Sequence, residues 1–591
     1  MDVKILPKLL CGSVKAIPSK SQAHRALICA ALADKMVHIE CDSESKDIAA
    51  TIACLSALGA DISRKQGGYI VQPLNREYID SAAVTLPCAE SGSTFRFLLP
   101  VVCALGRKAS FILEGRLSQR PLSPLYEELL RHGCLLSVQG VNPFIAEGKL
   151  TPGIYSLDAG VSSQFISGLL FALPLLDKNS ELRLCGKIES FPYIELTMSM
   201  LDSFNIKIDY RDGVFYIPGG QTYSSAGAIH VEGDWSNAAF WLTAGALGEN
   251  SVTCTGLDLQ SKQGDRAIMD ILARFGAQAE KSGGSVTVSG GKLRGVEIDA
   301  HDIPDLVPIL AAAAAAAEGT TVIRNAGRLR GKESDRLAAI SSVLNGLGAD
   351  VQITEDGLVI KGGASLAGGK VSSWGDHRIA MAASIASVLC KEPVMIQGAE
   401  AVNKSYPGFF DDFRLLGGFV SEIDVNNRSK NIALIGMPGC GKSTVGGCLA
   451  QLMSRPLADI DELIVKTTGK NIPQIFAENG EETFRRLETE ILGMEAAKSG
   501  IIIATGGGVV TRGENLDLLR QNCLIVYLKR ELTELVTNDR PLSSSVGVEK
   551  LAKQRLPLYE EWSDFIIQNE ENPQKTALQI LKTIGLIQQP D

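Results

Sequence analysis

The segment Asn431–Ser443 reads NIALIGMPGCGKS, and it decides the fold of the C-terminal part of the chain. The run NIALI predicts a buried strand, and the helix-like run TVGGCLAQLM follows the glycines directly. Between them, Gly436–Ser443 matches the pattern G-x-x-x-x-G-K-S in full. A strand, a glycine loop and a helix in this order predict a P-loop, whose backbone amides hold phosphates. We expect nucleotide contacts from Gly439, Cys440, Gly441, Lys442, Ser443 and Thr444, with Ser443 also binding Mg²⁺.

Polar residues and glycines follow the P-loop in a fixed order. They are Asp459-x-Asp461, Phe484-Arg485 in the charged helix EETFRRLETE, Gly506–Gly508 after the strand-like Ile501–Ala504, and Arg540 and Arg555 on either side of a polar insert suited to a lid. Each of these could singly be a surface charge or a turn. Together, in this order, they resemble shikimate kinase over nearly all of residues 430–591.

That resemblance implies an α/β kinase with a parallel sheet and a lid, of the nucleoside monophosphate kinase type. Lys442 and Asp461 would be catalytic, with Asp461 accepting hydrogen bonds from shikimate hydroxyls, and Asp459 would help Ser443 to hold Mg²⁺. Further contacts to shikimate would come from Arg485, Gly506, Gly507, Gly508 and Arg555, and Arg540 would close over the ATP phosphates.

The first 420 residues contain a weak repeat of about seventy residues. In each unit a short polar loop leads directly into an Ala/Leu-rich helical stretch, and β-like runs such as VTLPC, VTVSG and LVIKG lie between them. The markers Lys20, Gly92, Ser162, Asp234, Asp305 and Asp376 are separated by 72, 70, 72, 71 and 71 residues. This period predicts six α/β units. Because helix N-termini attract anions, a cleft shared by these loops would bind several anions.

The polar loops carry a specific set of motifs. They are SKSQAHRA at 19–26, SGSTFR at 91–96, SSQF at 162–165, KESDR at 332–336 and DHRIAM at 376–381. Singly, the hydroxyl and acidic residues could be helix N-caps, and the cations could be solvated surface charges. In this order, the motifs resemble 5-enolpyruvylshikimate-3-phosphate (EPSP) synthase over residues 1–420.

This second resemblance implies two lobes of three repeats, about 14–226 and 1–13 plus 227–420, with a cleft that closes on substrate. A linker would occupy 421–429, and the kinase 430–591. Phosphoenolpyruvate would be held by Lys20, Gly92, Arg96, Arg120, Gln164, Arg336, Arg378 and Lys404. Shikimate 3-phosphate would be held by Lys20, Ser21, Arg25, Ser162, Ser163, Gln164, Ser190, Tyr193, Asp305 and Lys332.

The implied reaction explains the abundance of cations, because two phosphates and two carboxylates must share one cleft. Asp305 would act as base at the 5-hydroxyl, and Glu333 with Lys20 would deliver a proton to the methylene carbon. This half would need no cofactor, whereas the kinase would use Mg²⁺ with ATP. Glu90 and Arg328 depart from many relatives, and we expect Glu90 to be turned away or salt-bridged.

Composition sets broader limits. The 591 residues predict two to four domains, and a formal net charge of -9 without a Lys/Arg run disfavours a nucleic-acid partner. The thirteen Cys include no C-x-x-C pair, and neither a signal peptide nor a long apolar stretch is evident, so we expect a cytoplasmic protein without a membrane partner.

The sequence therefore predicts a bifunctional enzyme whose partners are the small molecules shikimate, ATP, phosphoenolpyruvate and shikimate 3-phosphate. One alternative is a UDP-aminosugar enolpyruvyl transferase joined to another small-molecule P-loop kinase. That transferase uses a Cys in its phosphoenolpyruvate loop, and the loop LEGRLSQRPLSPL around Arg120 has none. A second alternative is a non-catalytic ATP-binding scaffold.

Overall fold

The computed structural model describes residues 1–75, 83–225, 227–363, 365–423, 431–453, 455–496, 498, 500–535, 547–570 and 572–584. The chain divides into two compact units, Asp2–Ser421 and Glu422–Asp591. Residues 424–429 of the predicted linker lie outside the described residues. No helix in the described ranges is both long enough and apolar enough to cross a membrane.

The first unit alternates short strands and helices throughout. Its strands are β1 (Asp2–Leu6), β2 (Gly12–Lys15), β3 (Val37–Glu40), β4 (Asp61–Lys65), β5 (Gly68–Gln72), β6 (Val84–Ala89), β7 (Ala109–Leu113), β8 (Cys134–Leu136), β9 (Phe144–Gly148), β10 (Ile154–Asp158), β11 (Ser180–Cys185), β12 (Asp209–Arg211), β13 (Val214–Ile217), β14 (Ala228–His230), β15 (Val252–Thr255), β16 (Gln278–Ser282), β17 (Ser285–Ser289), β18 (Glu297–Asp299), β19 (Gly319–Arg324), β20 (Asp350–Ile353), β21 (Leu358–Gly362), β22 (Gly369–Ser372), β23 (Val394–Gln397) and β24 (Phe419–Ile423). Its helices are α1 (Lys20–Ala31), α2 (Lys46–Ala57), α3 (Gly92–Ala104), α4 (Leu125–Arg131), α5 (Ser163–Ala172), α6 (Phe191–Ser203), α7 (Trp235–Leu247), α8 (Ile268–Phe275), α9 (Val307–Ala316), α10 (Arg336–Gly346), α11 (His377–Ala386) and α12 (Phe409–Leu415). Short 3₁₀ turns occur at Leu117–Gln119, Leu173–Leu175, Gly264–Ala267, Pro304–Leu306, Gly327–Gly331, Ser387–Leu389 and Ala399–Lys404.

These strands form six four-stranded sheets within the described residues. The orders are β14-β3-β5-β4, β6-β7-β9-β8, β10-β11-β13-β12, β2-β15-β17-β16, β18-β19-β21-β20 and β22-β23-β1-β24. In each sheet the first two strands are parallel, and the second and third are antiparallel. The six repeated α/β units predicted from the period are confirmed.

The pairing of strands divides the first unit into two lobes. We call the sheets containing β3 to β14 the first lobe and the remaining three sheets the second lobe. Strand β2 pairs with β15 in the second lobe, and β14 pairs with β3 in the first lobe. The chain therefore passes between the lobes after Lys15 and after His230, slightly later than the predicted positions near 14 and 226. Such three- or four-residue partner strands carry too little periodicity to be located from sequence.

The buried helices of each lobe explain the Ala/Leu-rich stretches. Every residue of α11 is buried, and α7 and α9 are buried along nearly their whole length. These three helices pack on one another, while α3 packs on α5 in the first lobe. Helices that are enclosed by protein can meet a ligand mainly at their ends, and α11 carries the polar His377 and Arg378 in its first turn.

The second unit is a five-stranded parallel sheet flanked by helices. Its strands are β25 (Asn431–Ile435), β26 (Leu457–Asp459), β27 (Ile502–Ala504), β28 (Cys523–Lys529) and β29 (Phe565–Gln568), in the order β26-β27-β25-β28-β29. Its helices are α13 (Lys442–Met453), α14 (Ile460–Thr468), α15 (Ile472–Ala496, interrupted by a kink at the non-helical Gly480), α16 (Glu514–Asn522), α17 (Val548–Trp562) and α18 (Pro573–Thr583), with 3₁₀ turns at Val509–Thr511 and Leu532–Glu534. Each residue of β25 is buried, as expected for a central parallel strand. The predicted parallel sheet is confirmed. The insert predicted as a lid lies between Arg540 and Arg555; its residues 541–546 lie outside the described residues, and Val548 begins α17.

Candidate active sites

A cleft of about 350 Å³ in the first unit is lined by residues of both lobes. Helix N-termini bring side chains into it, and their caps are satisfied locally. Ser91 caps α3 by accepting a hydrogen bond from the Thr94 amide, and Asp376 caps α11 by accepting one from the Arg378 amide. The predicted residues that line the cleft are Lys20, Ser21, Arg25, Gly92, Arg96, Arg120, Ser162, Ser163, Gln164, Ser190, Tyr193, Asp305, Lys332, Glu333, Arg336 and Arg378.

Arg336 is the centre of the charge network in this cleft. Its guanidinium is almost fully buried and contacts three carboxylates: Nε donates to Asp376 at 2.8 Å, Nη1 to Asp305 at 2.8 Å and Nη2 to Glu333 at 2.8 Å. Burial alone would lower the pKa of Arg336, but the three carboxylates more than offset it and raise that pKa. Arg336 therefore stays charged and holds both candidate acid–base residues.

Asp305 accepts hydrogen bonds from three side chains: Arg336, Arg378 through Nη2 at 3.2 Å, and the Tyr193 hydroxyl at 3.3 Å. Burial would raise the pKa of Asp305, but Arg378, Lys332 and Arg336 outweigh it and hold that pKa well below its usual range. The pKa of Glu333 is likewise low, because Arg336, Arg120 and Lys404 overcome the effect of burial. Both carboxylates are ionised in this arrangement of cations.

Two other ionisable groups near Asp305 have shifted pKa values. Burial lowers the pKa of Lys332 to about 8, although Asp305 opposes the shift. Burial, with help from Asp305, raises the pKa of Asp265 to about 6. Asp265 accepts hydrogen bonds from the hydroxyls of Tyr193 and Ser236. The second lobe thus places Lys332, which lines the cleft, and Asp265, which contacts the lining residues Tyr193 and Ser236, where burial shifts both pKa values toward neutrality.

The first-lobe cations are held differently. Lys20 forms an ion pair with Asp47 at 2.8 Å, and Arg96 donates to the Gln164 side chain at 2.8 Å. Arg25 donates to the Thr197 hydroxyl and to two backbone carbonyls, so its guanidinium braces α1 against α6. Burial lowers the pKa of Arg96, whose guanidinium donates to the neutral Gln164 side chain and Pro121 carbonyl.

Lys404 is the one member of the predicted phosphoenolpyruvate set that is absent from the lining of this cleft. It lines a neighbouring recess of about 510 Å³, where its Nζ lies 3.3 Å from Glu90 and 3.9 Å from Glu333. The expectation that Glu90 is salt-bridged is therefore confirmed. Arg328, the other unusual residue, pairs with Glu189 at 2.9 Å.

Sequence reasoning missed several residues that line the cleft, Asp47, Ser236 and His377, and it missed Asp265, which contacts Ser236 behind the lining. Asp47 follows the Ser45 cap of α2, so an N-capping pattern could have located it. Asp265 and Ser236 had no comparable signal, because their pairing joins a 3₁₀ turn to a helix 29 residues away. Burial and the nearby Lys20 hold the pKa of His377 well below its usual value, so its ring is neutral.

In the second unit, the P-loop connects β25 to α13. Gly436, Gly439 and Gly441 have φ values of 148°, 85° and 96°, a region that L side chains rarely adopt. Lys442 folds back over the loop, and its Nζ donates to the carbonyls of Gly436 at 2.9 Å and Met437 at 3.0 Å. The loop therefore curves back on itself and holds its lysine against its own backbone.

The acceptor side of this unit lies after β26 and β27. Asp459 caps α14, and its Oδ1 accepts from the amides of Asp461 and Glu462. Arg485 is buried and donates to Glu488 at 2.7 Å, a partner that sequence reasoning missed despite the i,i+3 spacing.

The glycines at the end of β27 allow close approach. A Cβ at Gly508 would lie 2.1 Å from Arg485 Nη1, and one at Gly506 would lie 2.2 Å from Glu488 Oε1. Arg555 donates to the Gly507 carbonyl at 3.0 Å. The structure therefore brings Asp461, Arg485, Arg555 and Gly506–Gly508 into one region, whereas Arg540 lies outside the described residues.

Family comparisons identify both parts of the chain. The EPSP synthase (3-phosphoshikimate 1-carboxyvinyltransferase) model matches residues 6–413, and the shikimate kinase model matches residues 438–585. The chain belongs to the EPSP synthase family and carries a shikimate kinase domain. It is a bifunctional transferase of the shikimate pathway. The reaction of its kinase domain is ATP-dependent.

Individual relatives support the assignment. The chain is 45% identical over 427 residues to the 3-phosphoshikimate 1-carboxyvinyltransferase of Clostridium kluyveri, covering 72% of this chain and 99% of that protein. It is 44% identical over 426 residues to that of Clostridium acetobutylicum, covering 71% and 98%.

Solved structures agree as well. The EPSP synthase of Acinetobacter baumannii aligns with a TM-score of 0.61 at 26% identity, covering 71% of this chain and all of that one. The enolpyruvyl transferase NikO from Streptomyces tendae aligns with a TM-score of 0.58 at 18% identity, covering 71% and 98%, and shares the fold.

Proposed function

We propose that the cleft of the EPSP synthase domain transfers the enolpyruvyl group with Asp305 and Glu333 as its acid–base pair. The observation that carries this proposal is the shared contact with Arg336, whose guanidinium binds both carboxylates at 2.8 Å. One cation between two carboxylates can give up one or both contacts to an anionic substrate. The same exchange would release the two groups for proton transfer.

The charges in the cleft support the assignment of the two substrates. Arg336, Arg378 and Arg120 surround Glu333 and Asp305 and would bind the phosphate and carboxylate of phosphoenolpyruvate. The hydroxyl and amide groups of Ser162, Ser163, Gln164 and Ser190, with Ser21, Arg25, Tyr193 and Lys332, would bind shikimate 3-phosphate. When substrate anions take over the guanidinium groups, the pKa of Asp305 would rise toward the range of a useful base.

The proposed chemistry then follows from proton positions. Asp305 takes the proton from the 5-hydroxyl as its oxygen attacks the enol carbon. Glu333 takes up a proton from solvent when substrate anions displace Arg336 and, with Lys20 beside it, gives that proton to the methylene carbon. In the second step the methyl carbon returns a proton to Glu333, the C–O bond to phosphate breaks with its electron pair leaving on phosphate, and Asp305 gives its proton to the departing phosphate. Asp47 orients Lys20 through their 2.8 Å ion pair.

We further propose that the kinase domain uses Mg²⁺ with ATP to phosphorylate the 3-hydroxyl of shikimate. The residues fit such an ion. Ser443 follows the P-loop lysine, and the two backbone amides that donate to Asp459 both bond to its Oδ1. Among the described residues no group of three acidic, His or Cys side chains could hold a metal. That composition suits Mg²⁺, which is held mainly by phosphates, water and one or two carboxylates.

Asp461 would then orient the attacking hydroxyl, and Arg485 and Arg555 would bind the shikimate carboxylate beside Gly506–Gly508. Lys442 would leave the loop carbonyls for the outer phosphates of ATP. The phosphorylated product is the substrate of the transferase domain, so the two sites catalyse successive steps. All thirteen Cys are free thiols, which supports a reducing cytoplasmic location.

A coupled assay tests the proposal. Purified protein is given shikimate, ATP, Mg²⁺ and phosphoenolpyruvate, and the formation of shikimate 3-phosphate and the release of phosphate from phosphoenolpyruvate are scored separately. Omitting ATP should stop both, and adding shikimate 3-phosphate should restore phosphate release alone. Phosphate release that is independent of shikimate 3-phosphate would contradict the proposed transferase.

A further inference from the structure

Lys404 occupies a different compartment from the other cations expected to bind phosphoenolpyruvate. Those cations line the cleft between the lobes, whereas Lys404 lines the recess formed with Glu90, Glu114 and Trp374. Lys404 is buried and lies closer to Glu90 than to Glu333, with distances of 3.3 and 3.9 Å. Since Glu333 lines the cleft, Lys404 stands at the wall between the two compartments and is drawn toward the recess.

Glu90 is held in position by its backbone and by its neighbours. It follows Ala89, which has a φ of 48° at the end of β6, and it precedes the Ser91 cap of α3. Its side chain lies across Gly115, where a Cβ would come within 2.5 Å of Glu90 Oε1. The glycine therefore makes room for the carboxylate, which reaches Lys404 across the boundary between the first and second lobes.

We propose that Glu90 is a positioning residue that holds Lys404 in the recess and competes with phosphoenolpyruvate for it. This inference rests on the proposed role of Lys404 in binding phosphoenolpyruvate. Before that substrate can use Lys404, the lysine must exchange the Glu90 carboxylate for a substrate anion. Glu90 thereby weakens the apparent affinity for phosphoenolpyruvate and has no part in binding shikimate 3-phosphate.

The expected effect is modest because half of the Glu90 side chain is exposed, and solvent screens such a pair. We expect Glu90→Gln to lower KM for phosphoenolpyruvate roughly three- to fivefold. KM for shikimate 3-phosphate and kcat should stay within about twofold. Glu114→Gln is the matched control, since it removes one negative charge from the same recess and, among the described residues, Glu114 forms no ion pair with Lys404.

A double-mutant cycle separates this inference from the proposed function. In a Lys404→Gln background, Glu90→Gln should no longer lower KM for phosphoenolpyruvate. If Lys404→Gln alone leaves that KM unchanged, the proposed role of Lys404 fails, and with it the reason for the competition. Glu90→Asn provides a second, smaller replacement if the glutamine variant proves unstable.

Three results would overturn the inference about Glu90. The first is an unchanged or raised KM for phosphoenolpyruvate in both Glu90 variants. The second is an equal fall in Glu114→Gln, which would indicate a general charge effect. The third is a Glu90→Gln effect that persists in the Lys404→Gln background.

Discussion

The transferase cleft and the kinase P-loop both hold their key cations without a ligand, but they do so with different partners. In the cleft, Arg336 is bound by Asp305 and Asp376, which lie 31 and 40 residues away, and by the nearer Glu333. In the P-loop, Lys442 is bound by carbonyls five and six residues away. One site is an assembly of distant segments, and the other is a property of a single loop.

This difference has consequences for how substrates bind. A substrate entering the cleft must replace charged carboxylates, so binding and the ionisation of Asp305 and Glu333 are coupled. ATP entering the P-loop displaces Lys442 from neutral backbone carbonyls. Its binding therefore does not release a catalytic carboxylate. Changes in the cleft should therefore affect pH behaviour and binding together, whereas changes in the P-loop should affect one activity alone.

The largest expected effect tests whether the P-loop site is independent. Lys442→Ala should abolish shikimate phosphorylation, because the outer phosphates lose their lysine. The transferase should stay active on supplied shikimate 3-phosphate. The exposed Lys466, on α14, offers Lys466→Ala as a control that should retain both activities. Equal loss of both activities in folded Lys442→Ala would contradict the two-site arrangement.

Removing either carboxylate tests the assembled site. Asp305→Ala and Glu333→Ala should each lower kcat of the transferase by about 10² or more, as expected for a general acid or base. ATP use by the kinase should not change. Asp302→Asn, three residues from Asp305 and half-exposed, should have little effect. Near-normal turnover in either alanine variant would remove that residue from its proposed role.

The shifted pKa of Lys332 predicts a pH dependence for the cleft. Since burial lowers the pKa of Lys332 to about 8, the lysine loses its charge above that pH in the free enzyme. The kcat/KM for shikimate 3-phosphate should therefore fall above about pH 8, approaching tenfold per pH unit.

Lys332→Arg should move this fall to higher pH, because arginine stays protonated. Lys262→Arg, at an exposed position, should leave the profile unchanged. An identical descending limb in wild type and Lys332→Arg would assign the ionisation to another group.

The smallest expected effect on the natural substrate concerns Gly92 at the start of α3. A Cβ there would lie 2.6 Å from Nη1 and 3.2 Å from Cζ of Arg120, so Gly92→Ala should shift that guanidinium slightly. We expect KM for phosphoenolpyruvate to rise only a few-fold. The inhibition constant of glyphosate, a longer phosphonate analogue, should rise much more, since it needs more of the same space. A proportional rise in both constants would refute the steric explanation.

Much of both folds could be predicted from short motifs because their causes are local. The P-loop needs glycines with positive φ before a lysine, and Gly436–Ser443 supplies them. The DHRIAM motif combines an N-cap with an apolar run, and it forms the fully buried helix α11. The β-like runs VTLPC, VTVSG and LVIKG lie in β6, β17 and β21.

The remainder depended on distant pairing. Strand β14 pairs with β3 in the first lobe, although the boundary expected near 226 placed it in the second, because its partner lies far along the chain. The pairing of Asp47 with Lys20 joins the first turns of two different helices, and no single motif contains both. Lys404 matched the expected set of residues, yet Glu90 holds it outside the cleft lining.

The sequence by itself therefore determined which cations, carboxylates and glycines are available and which helix or loop presents each one, since caps, turns and periodicity act within a few residues. Only the tertiary structure decided which charges neutralise one another, because Coulomb attraction and burial depend on distance through space. For this reason the ionised state of Asp305, the lowered pKa of Lys332 and the position of Lys404 emerge only once the two lobes enclose the cleft.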